Sequence, residues 1–208
     1  MKKFLRDENL QTEIMQKGYV IVPLLSDEEI THLLNELKKT LPNENNVLDV
    51  DGKVQPNAFH VTFFDSEINY KQLANDLVQD FFSPYVERLF IDYKILTGGF
   101  FVKPSGSGEI GIHKDWTFTD NFDDVNITVW CPLVDVDETN GGLFVVEGSH
   151  KLVPNIETPQ TKFFFSGFEN WLKEHSTFIR LKAGEVLLFD NTILHGSGKN
   201  GSEYALCS

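Results

Sequence analysis

His113 and Asp115 stand two residues apart, and His195 lies far downstream in Leu194-His195-Gly196-Ser197. Two neutral imidazoles and one carboxylate are the ligand set of a non-heme Fe(II) centre that keeps coordination positions open for other molecules. In an extended strand, residues two apart point to the same side, so His113 and Asp115 can aim at one point while Lys114 faces away. His195 must then arrive from a distant strand, at a strand end that opens into a turn at Gly196. An H-x-D pair also occurs where histidines are ordinary surface residues or core residues with satisfied ring nitrogens. On residue type and spacing alone, both readings stand.

The elements that must position these residues follow from periodicity. Leu10, Ile14 and Met15 have helical spacing, and Gly18 supplies a stop. Tyr19-Val20-Ile21-Val22 reads as a strand closed by Pro23. Ser26-Asp27-Glu28-Glu29 is a capping box that opens a helix to about Lys39, with Ile30, Leu33, Leu34 and Leu37 on its apolar face. A polar loop is expected over 42–56, a second amphipathic helix over 70–82, and a further turn from Pro84 to Phe90. Beyond Asp92 the texture changes to short β-rich runs between glycine turns. Strands are expected over 94–103, 110–113, 125–134, 143–146, 178–181, 186–190 and 204–207. Segment 163–175 interrupts them and reads as a short helix, a lid or a variable insert.

Regularly spaced short strands predict an antiparallel double sheet or jelly roll, and helices packed on one face make the whole α+β, mainly β. With 208 residues and 41% hydrophobic content, a single domain over 1–208 is expected, helical to about 92 and β from about 93. The formal charge of −13 argues against nucleic-acid or anionic-membrane partners. No signal peptide or membrane-spanning run is visible, and Cys131 and Cys207 form no framework or metal motif, so a cytoplasmic location is expected.

The blocks around the three candidate ligands resemble the phytanoyl-CoA dioxygenase-like family of Fe(II)/2-oxoglutarate-dependent oxygenases. They begin with Gly18-Tyr19-Val20-Ile21-Val22-Pro23 and Leu25-Ser26-Asp27-Glu28-Glu29-Ile30. They continue with Lys103-Pro104, His113-Lys114-Asp115-Trp116 and Val129-Trp130-Cys131-Pro132-Leu133. The most specific is Asn140-Gly141-Gly142-Leu143-Phe144-Val145-Val146-Glu147-Gly148-Ser149-His150. Ala183-Gly184-Glu185-Val186-Leu187-Leu188-Phe189-Asp190, His195-Gly196-Ser197 and Asn200 complete the series. The resemblance implies a double-stranded β-helix (jelly roll, cupin-like) with N-terminal helices on one sheet and iron at one open end.

It further implies His113, Asp115 and His195 as iron ligands, with Trp130 lining the 2-oxoglutarate pocket and Ser197 bonding the cosubstrate carboxylate. Trp130 reads equally as a core aromatic, and Ser197 as a turn residue. Asn140, Gly141, Gly142 and Gly148 read as turn formers, and His150 as structural. Trp116, Phe118 and Phe101 are candidates for the substrate wall, with core packing an equal reading for Phe101. The carboxylate of Asp115 stands where related halogenases have a small residue, which favours hydroxylation.

One departure is conspicuous. Family members carry an arginine about ten residues after the distal histidine, paired bidentately with the far carboxylate of 2-oxoglutarate. Here the matching position is Ala205 or Leu206, and no arginine follows His195. Three explanations compete: the sequence stops short or is altered there, another cation (Lys103 or Arg180) takes the carboxylate, or 2-oxoglutarate is no longer used. The leading expectation is a 2-oxoglutarate-dependent hydroxylase of a small molecule, using Fe(II) and O2 and forming succinate and CO2. A catalytically silent jelly-roll protein that binds a ligand or a partner is the alternative. Substrate and oligomeric state are not legible.

Overall fold

The computed structural model describes residues 3–40, 59–119, 124–152 and 165–208. The expected polar loop over 42–56 lies outside them. The chain opens with helix α1 (Glu8–Lys17), capped by the Asp7 carboxylate, which accepts from the N–H groups of Asn9 and Leu10. The helix ends at Gly18, whose φ of 90° is the left-handed conformation a Cβ would resist. Strand β1 (Tyr19–Pro23) follows directly. Helix α2 (Asp27–Thr40) opens with the expected reciprocal box, in which the Glu29 carboxylate accepts from the N–H and hydroxyl of Ser26. Ile30, Leu33 and Leu37 are its buried face.

Strand β2 (His60–Val61), a 3-10 turn (Thr62–Phe64) and helix α3 (Ile68–Leu89) come next. Here the structure corrects the sequence reading. Pro84 does not start a new turn but lies inside one continuous helix of 22 residues. Proline removes one helical N–H, yet flanking side chains hold the line. Phe81, Phe82, Val86 and Leu89 pack on the core, and the Tyr85 hydroxyl donates to Glu29 on α2.

The remaining strands are short: β3 (Phe101–Lys103), β4 (Ile110–His113), β5 (Ile127–Trp130), β6 (Leu143–Val145), β7 (Thr177–Phe178), β8 (Glu185–Asp190), β9 (His195–Ser197) and β10 (Leu206–Cys207). Helix α4 (Glu169–Glu174) precedes β7, so the expected short helix within 163–175 is present; residues 163–164 lie outside the described set. All strand pairs are antiparallel. β1-β8-β5 form one ladder and β10-β3-β2 another. The N–H of Leu133 donates to the carbonyl of Cys207 at 2.8 Å and joins the two ladders edge to edge. The facing sheet runs β4-β9-β6-β7.

Alternation sorts the side chains of these sheets. Val186 and Leu188 of β8 and Ile127 and Val129 of β5 pack on the helices, together with Val20, Ile30 and Leu33. Leu187 and Phe189 of β8 and Trp130 of β5 turn to the other side, with Val145, Ile193 and Leu206, between the two sheets. The fold is thus a jelly roll with N-terminal helices on one sheet, as expected. Among the described residues no helix is long and apolar enough to cross a membrane.

Candidate metal centre

His113 ends β4 and His195 begins β9, and the two are cross-strand partners. This pairing depends on an irregularity. Ile110 partners Ser197 and His113 partners His195, so β4 uses three steps where β9 uses two. The extra residue is a β-bulge, the device that re-aims a side chain beside a functional site. Without it, the pleat would put Ile110 and His113 on opposite faces. The expectation that His195 sits at a strand end leading into a turn is reversed: the tight segment precedes it, with the N–H of Ile193 on the Asp190 carbonyl, and His195 opens a strand.

Asp115, unlike the two histidines, is not on a strand. It lies two residues past β4, and its N–H is fixed on the Asn191 carbonyl at 2.9 Å. Its Oδ1 lies 3.6 Å from His195 Nε2 and 3.9 Å from His113 Nε2. The three ligand atoms lie within 4.8 Å of one another, close enough to share one ion. The imidazole rings are 4.4 Å apart between centroids.

Each imidazole is oriented by its backbone. His113 Nδ1 is 2.8 Å from the Gly111 carbonyl, and His195 Nδ1 is 3.0 Å from that of Ile193. A carbonyl can only accept, so both Nδ1 atoms carry the proton and both Nε2 lone pairs face Asp115, the arrangement of metal-ligating histidines. Burial pushes the His195 imidazole below the usual histidine value, which favours the neutral, ligating form. The other carboxylate oxygen, Asp115 Oδ2, lies 2.9 Å from the Thr128 hydroxyl. That hydroxyl is also 2.9 Å from Asn191 Oδ1, while Asn191 Nδ2 donates to the Trp116 carbonyl at 2.8 Å. Thr128 and Asn191 thus hold the acidic ligand from both sides. Sequence reasoning missed both, although the signal was present: Thr128 is two residues from Trp130 on β5 and shares its face.

A second cluster sits one step along β9. Ser197 is two residues from His195, hence on the same face. It is buried, and its Oγ accepts from Lys103 Nζ at 2.7 Å. Lys103 is wholly buried, and its ammonium also donates to the Gly198 carbonyl. Among the described residues it forms no ion pair. Burial alone pushes its pKa down to about 8. Its stem runs past Gly141, where an added Cβ would lie 2.9 Å from Lys103 Cδ, and Gly141 has a φ of +84°. That glycine therefore does more than turn the chain: it clears a channel for the lysine.

The other candidates fall into place around these two clusters. Trp130 Nε1 donates to Ser208 Oγ at 2.8 Å, on the interior side of the sheet. Trp116 and Phe118 are exposed beside Asp115. Phe101 does not join them; it stacks on Phe59 at 5.4 Å. Trp116 instead meets Phe63 and Phe64 of the 3-10 turn, at 5.9 and 6.4 Å, two residues that sequence reading passed over. Arg180 is excluded as a cosubstrate anchor, because it is exposed and paired with Glu138 on the surface. His150 is structural as expected, its Nε2 set 3.2 Å from the Met15 carbonyl.

A family model described as phytanoyl-CoA dioxygenase (PhyH) matches residues 14–205. No curated protein sequence matches the chain. Among solved structures, the non-heme α-ketoglutarate-dependent carbocyclase SnoK from nogalamycin biosynthesis is similar in fold, with a TM-score of 0.65 at 16% identity over 97% of this chain and 81% of that one. The epimerase SnoN, solved with Fe3+, α-ketoglutarate and nogalamycin RO, gives 0.62 at 20% identity over 96% and 80%. EctD from S. alaskensis, solved with 2-oxoglutarate and 5-hydroxyectoine, gives 0.62 at 16% identity over 97% and 73%. At these identities the likeness is one of fold.

Proposed function

The chain belongs to the phytanoyl-CoA dioxygenase family, and on that premise we propose that it is an Fe(II)/2-oxoglutarate-dependent oxygenase that hydroxylates a small organic molecule. The observation that carries this reading is the pairing of two sites on one face of β9. His195 belongs to a triad of metal-ligand types, and Ser197 holds a buried ammonium that forms no ion pair among the described residues, Glu109 acting on it only from a distance. Buried charges are ordinarily paired. An ammonium has three donors, and two of those of Lys103 are used by Ser197 and Gly198. The third suits a carboxylate. A dicarboxylate whose near end chelates the metal would present its far carboxylate to Lys103.

His113, Asp115 and His195 would hold the iron, and their donor set suits Fe(II). When bound, iron and 2-oxoglutarate supply dioxygen activation coupled to decarboxylation, giving succinate and CO2. The residues of this chain contribute orientation. The carbonyls of Gly111 and Ile193 fix the tautomers of the two histidines. Thr128 keeps one oxygen of Asp115 engaged, so that the other faces the histidines. Lys103 and Ser197 bind and register the cosubstrate, and Trp130 walls its pocket. Asp115 keeps a carboxylate in the ligand set, which favours hydroxylation over halogen transfer.

Lys103 also answers the departure seen in sequence. It is the cation that substitutes for the missing arginine, and with it the motive for a silent binding protein falls away. We further propose that the described elements form one domain. Substrate-dependent succinate formation tests the assignment: it should require Fe(II), stop in His113→Ala and Asp115→Ala, and yield a product one oxygen heavier than the substrate. Full turnover in either variant would refute it.

A further inference from the structure

We infer that Phe63, Phe64 and Trp116 form a binding platform for a flat, uncharged ring system in the substrate, an aromatic or conjugated group of two or more fused rings. The inference rests on the oxygenase reading for the chemistry that follows binding, not for the binding itself.

Three large aromatic side chains are exposed by 47%, 41% and 57%, yet they touch one another. Their ring centroids are separated by 5.6, 5.9 and 6.4 Å, and every pair is edge-on, at interplanar angles of 78°, 65° and 90°. Such a cluster leaves ring faces and edges free together, which is the surface an incoming aromatic ring can meet in stacked and edge-to-face contact. The rings are too close to enclose a cation, which sets this platform apart from an aromatic cage. It is also broader than one ring, and contiguous exposed apolar surface of this kind marks a site of interaction.

Its location singles out the substrate as occupant. Phe63 and Phe64 follow β2, an edge of one sheet, and Trp116 follows β4, an edge of the other. The platform therefore bridges the two sheets at the end where Asp115 lies, and Trp116 is the residue next to that ligand.

The footing of the platform is rigid. Thr62 donates its N–H to the Phe100 carbonyl at 3.0 Å and accepts the Phe100 N–H on its hydroxyl at 3.0 Å. Buried His60 bonds the Tyr70 hydroxyl at 2.9 Å, tying β2 to α3 beneath the turn. Asn191 fixes the backbone of Trp116 and that of Asp115 together. Exposed rings on a rigid base are preorganised for binding, so little ordering opposes occupancy. A net charge of −13 disfavours an anionic ring.

The test is binding of 2-naphthol against its saturated analogue decahydro-2-naphthol. Both are titrated into the full chain, with Mn(II) in the triad to broaden nearby ligand protons in NMR. The platform predicts that 2-naphthol binds about tenfold more tightly than the saturated analogue. Its ring protons should be broadened by Mn(II) in the wild type. The variant Phe63→Leu/Phe64→Leu keeps apolar bulk and should lose about tenfold in naphthol affinity, with its Fe(II)·2-oxoglutarate absorption unchanged. Equal binding of the two alcohols, or unchanged binding in the double variant, would overturn the proposal. So would concentration-dependent self-association that the double variant abolishes, which would make the platform an interface between copies. Naphthol binding without any Fe(II)·2-oxoglutarate absorption would refute the oxygenase reading and leave the platform standing. The absorption without naphthol binding would do the reverse.

Discussion

Lys103 on β3 and Leu206 on β10 are direct cross-strand partners, and both are buried. Residues opposite one another in an antiparallel pair project from the same face. On the proposed reading, Lys103 therefore sits one strand away from, and facing, a position where the resemblance implies an arginine. The channel past Gly141 and the hydrogen bond from Asn200 Nδ2 to the Lys103 carbonyl at 2.8 Å fit the lysine to that position.

Lys103→Met should weaken 2-oxoglutarate binding by about tenfold to a hundredfold, the value of one charge-assisted hydrogen bond. Fe(II) affinity should hardly change. Calorimetric titration of the iron-loaded chain with 2-oxoglutarate reads the first effect, and metal titration the second.

The same lysine gives a pH signature. Its folded pKa is about 8, below the value of about 10.4 for an unfolded chain. Between these values the unfolded state binds more protons, so apo stability rises with pH over that window and the burial penalty is fully present below pH 8. Cosubstrate affinity runs the opposite way, falling above pH 8 as the ammonium is lost. Dissociation constants measured from pH 7 to 9.5 should show this fall in the wild type and not in Lys103→Met.

Leu206→Arg should not restore a family-like site on its own. It would place a second cation on the same buried face as Lys103, and an unpaired buried charge costs about 3 kcal/mol or more. A lowered melting temperature is expected. In the Lys103→Met background the same arginine should recover part of the 2-oxoglutarate affinity. Additive losses in the double variant would mean that the two positions do not serve the same carboxylate.

Thr128→Val keeps the shape of the side chain but removes the hydroxyl beside Asp115 Oδ2. Removing an outer-shell partner of a metal ligand typically lowers metal affinity by about tenfold or more. Thr128→Ser should retain most of it. Competition between Fe(II) and a chelating dye measures both.

Acid should destabilise the fold from about pH 6.5 downward. Burial lowers the pKa of His60 and of His150. The unfolded chain thus takes up these protons first as pH falls, and stability drops through the interval down to the folded values. Above pH 7 the two groups are neutral in both states and contribute no slope. Melting temperatures from pH 7.5 to 5 should fall in the wild type and fall less in His60→Asn.

Much of this was legible in the sequence where local chemistry dictates structure. The Ser26–Glu29 box and the left-handed Gly18 follow from short-range geometry, and both appear as expected. The alternation that sends Trp130 inward and Val129 to the helices is likewise periodic. The triad was legible as a set of types, but not its support. No local rule discloses a bulge that becomes defined only when β4 meets β9, or an Asp115 held by Asn191 from 76 positions along the chain. Pro84 misled because packing of Phe81, Phe82 and Val86 outweighs one lost helical hydrogen bond. Phe63 and Phe64 carry no local signal and were passed over in sequence; only the fold sets them beside Trp116. Arg180 and Lys103 were equivalent cations in sequence; only burial distinguishes them.

The most direct test of the account is anaerobic titration of the chain with Fe(II) and then 2-oxoglutarate, followed by visible absorption, alongside Lys103→Met and His113→Ala. The account predicts a metal-to-ligand charge-transfer band in the wild type. The same band should saturate only at about tenfold or more higher 2-oxoglutarate in Lys103→Met, and no band should form in His113→Ala. Iron binding without a band in the wild type, or identical saturation in Lys103→Met, would contradict it.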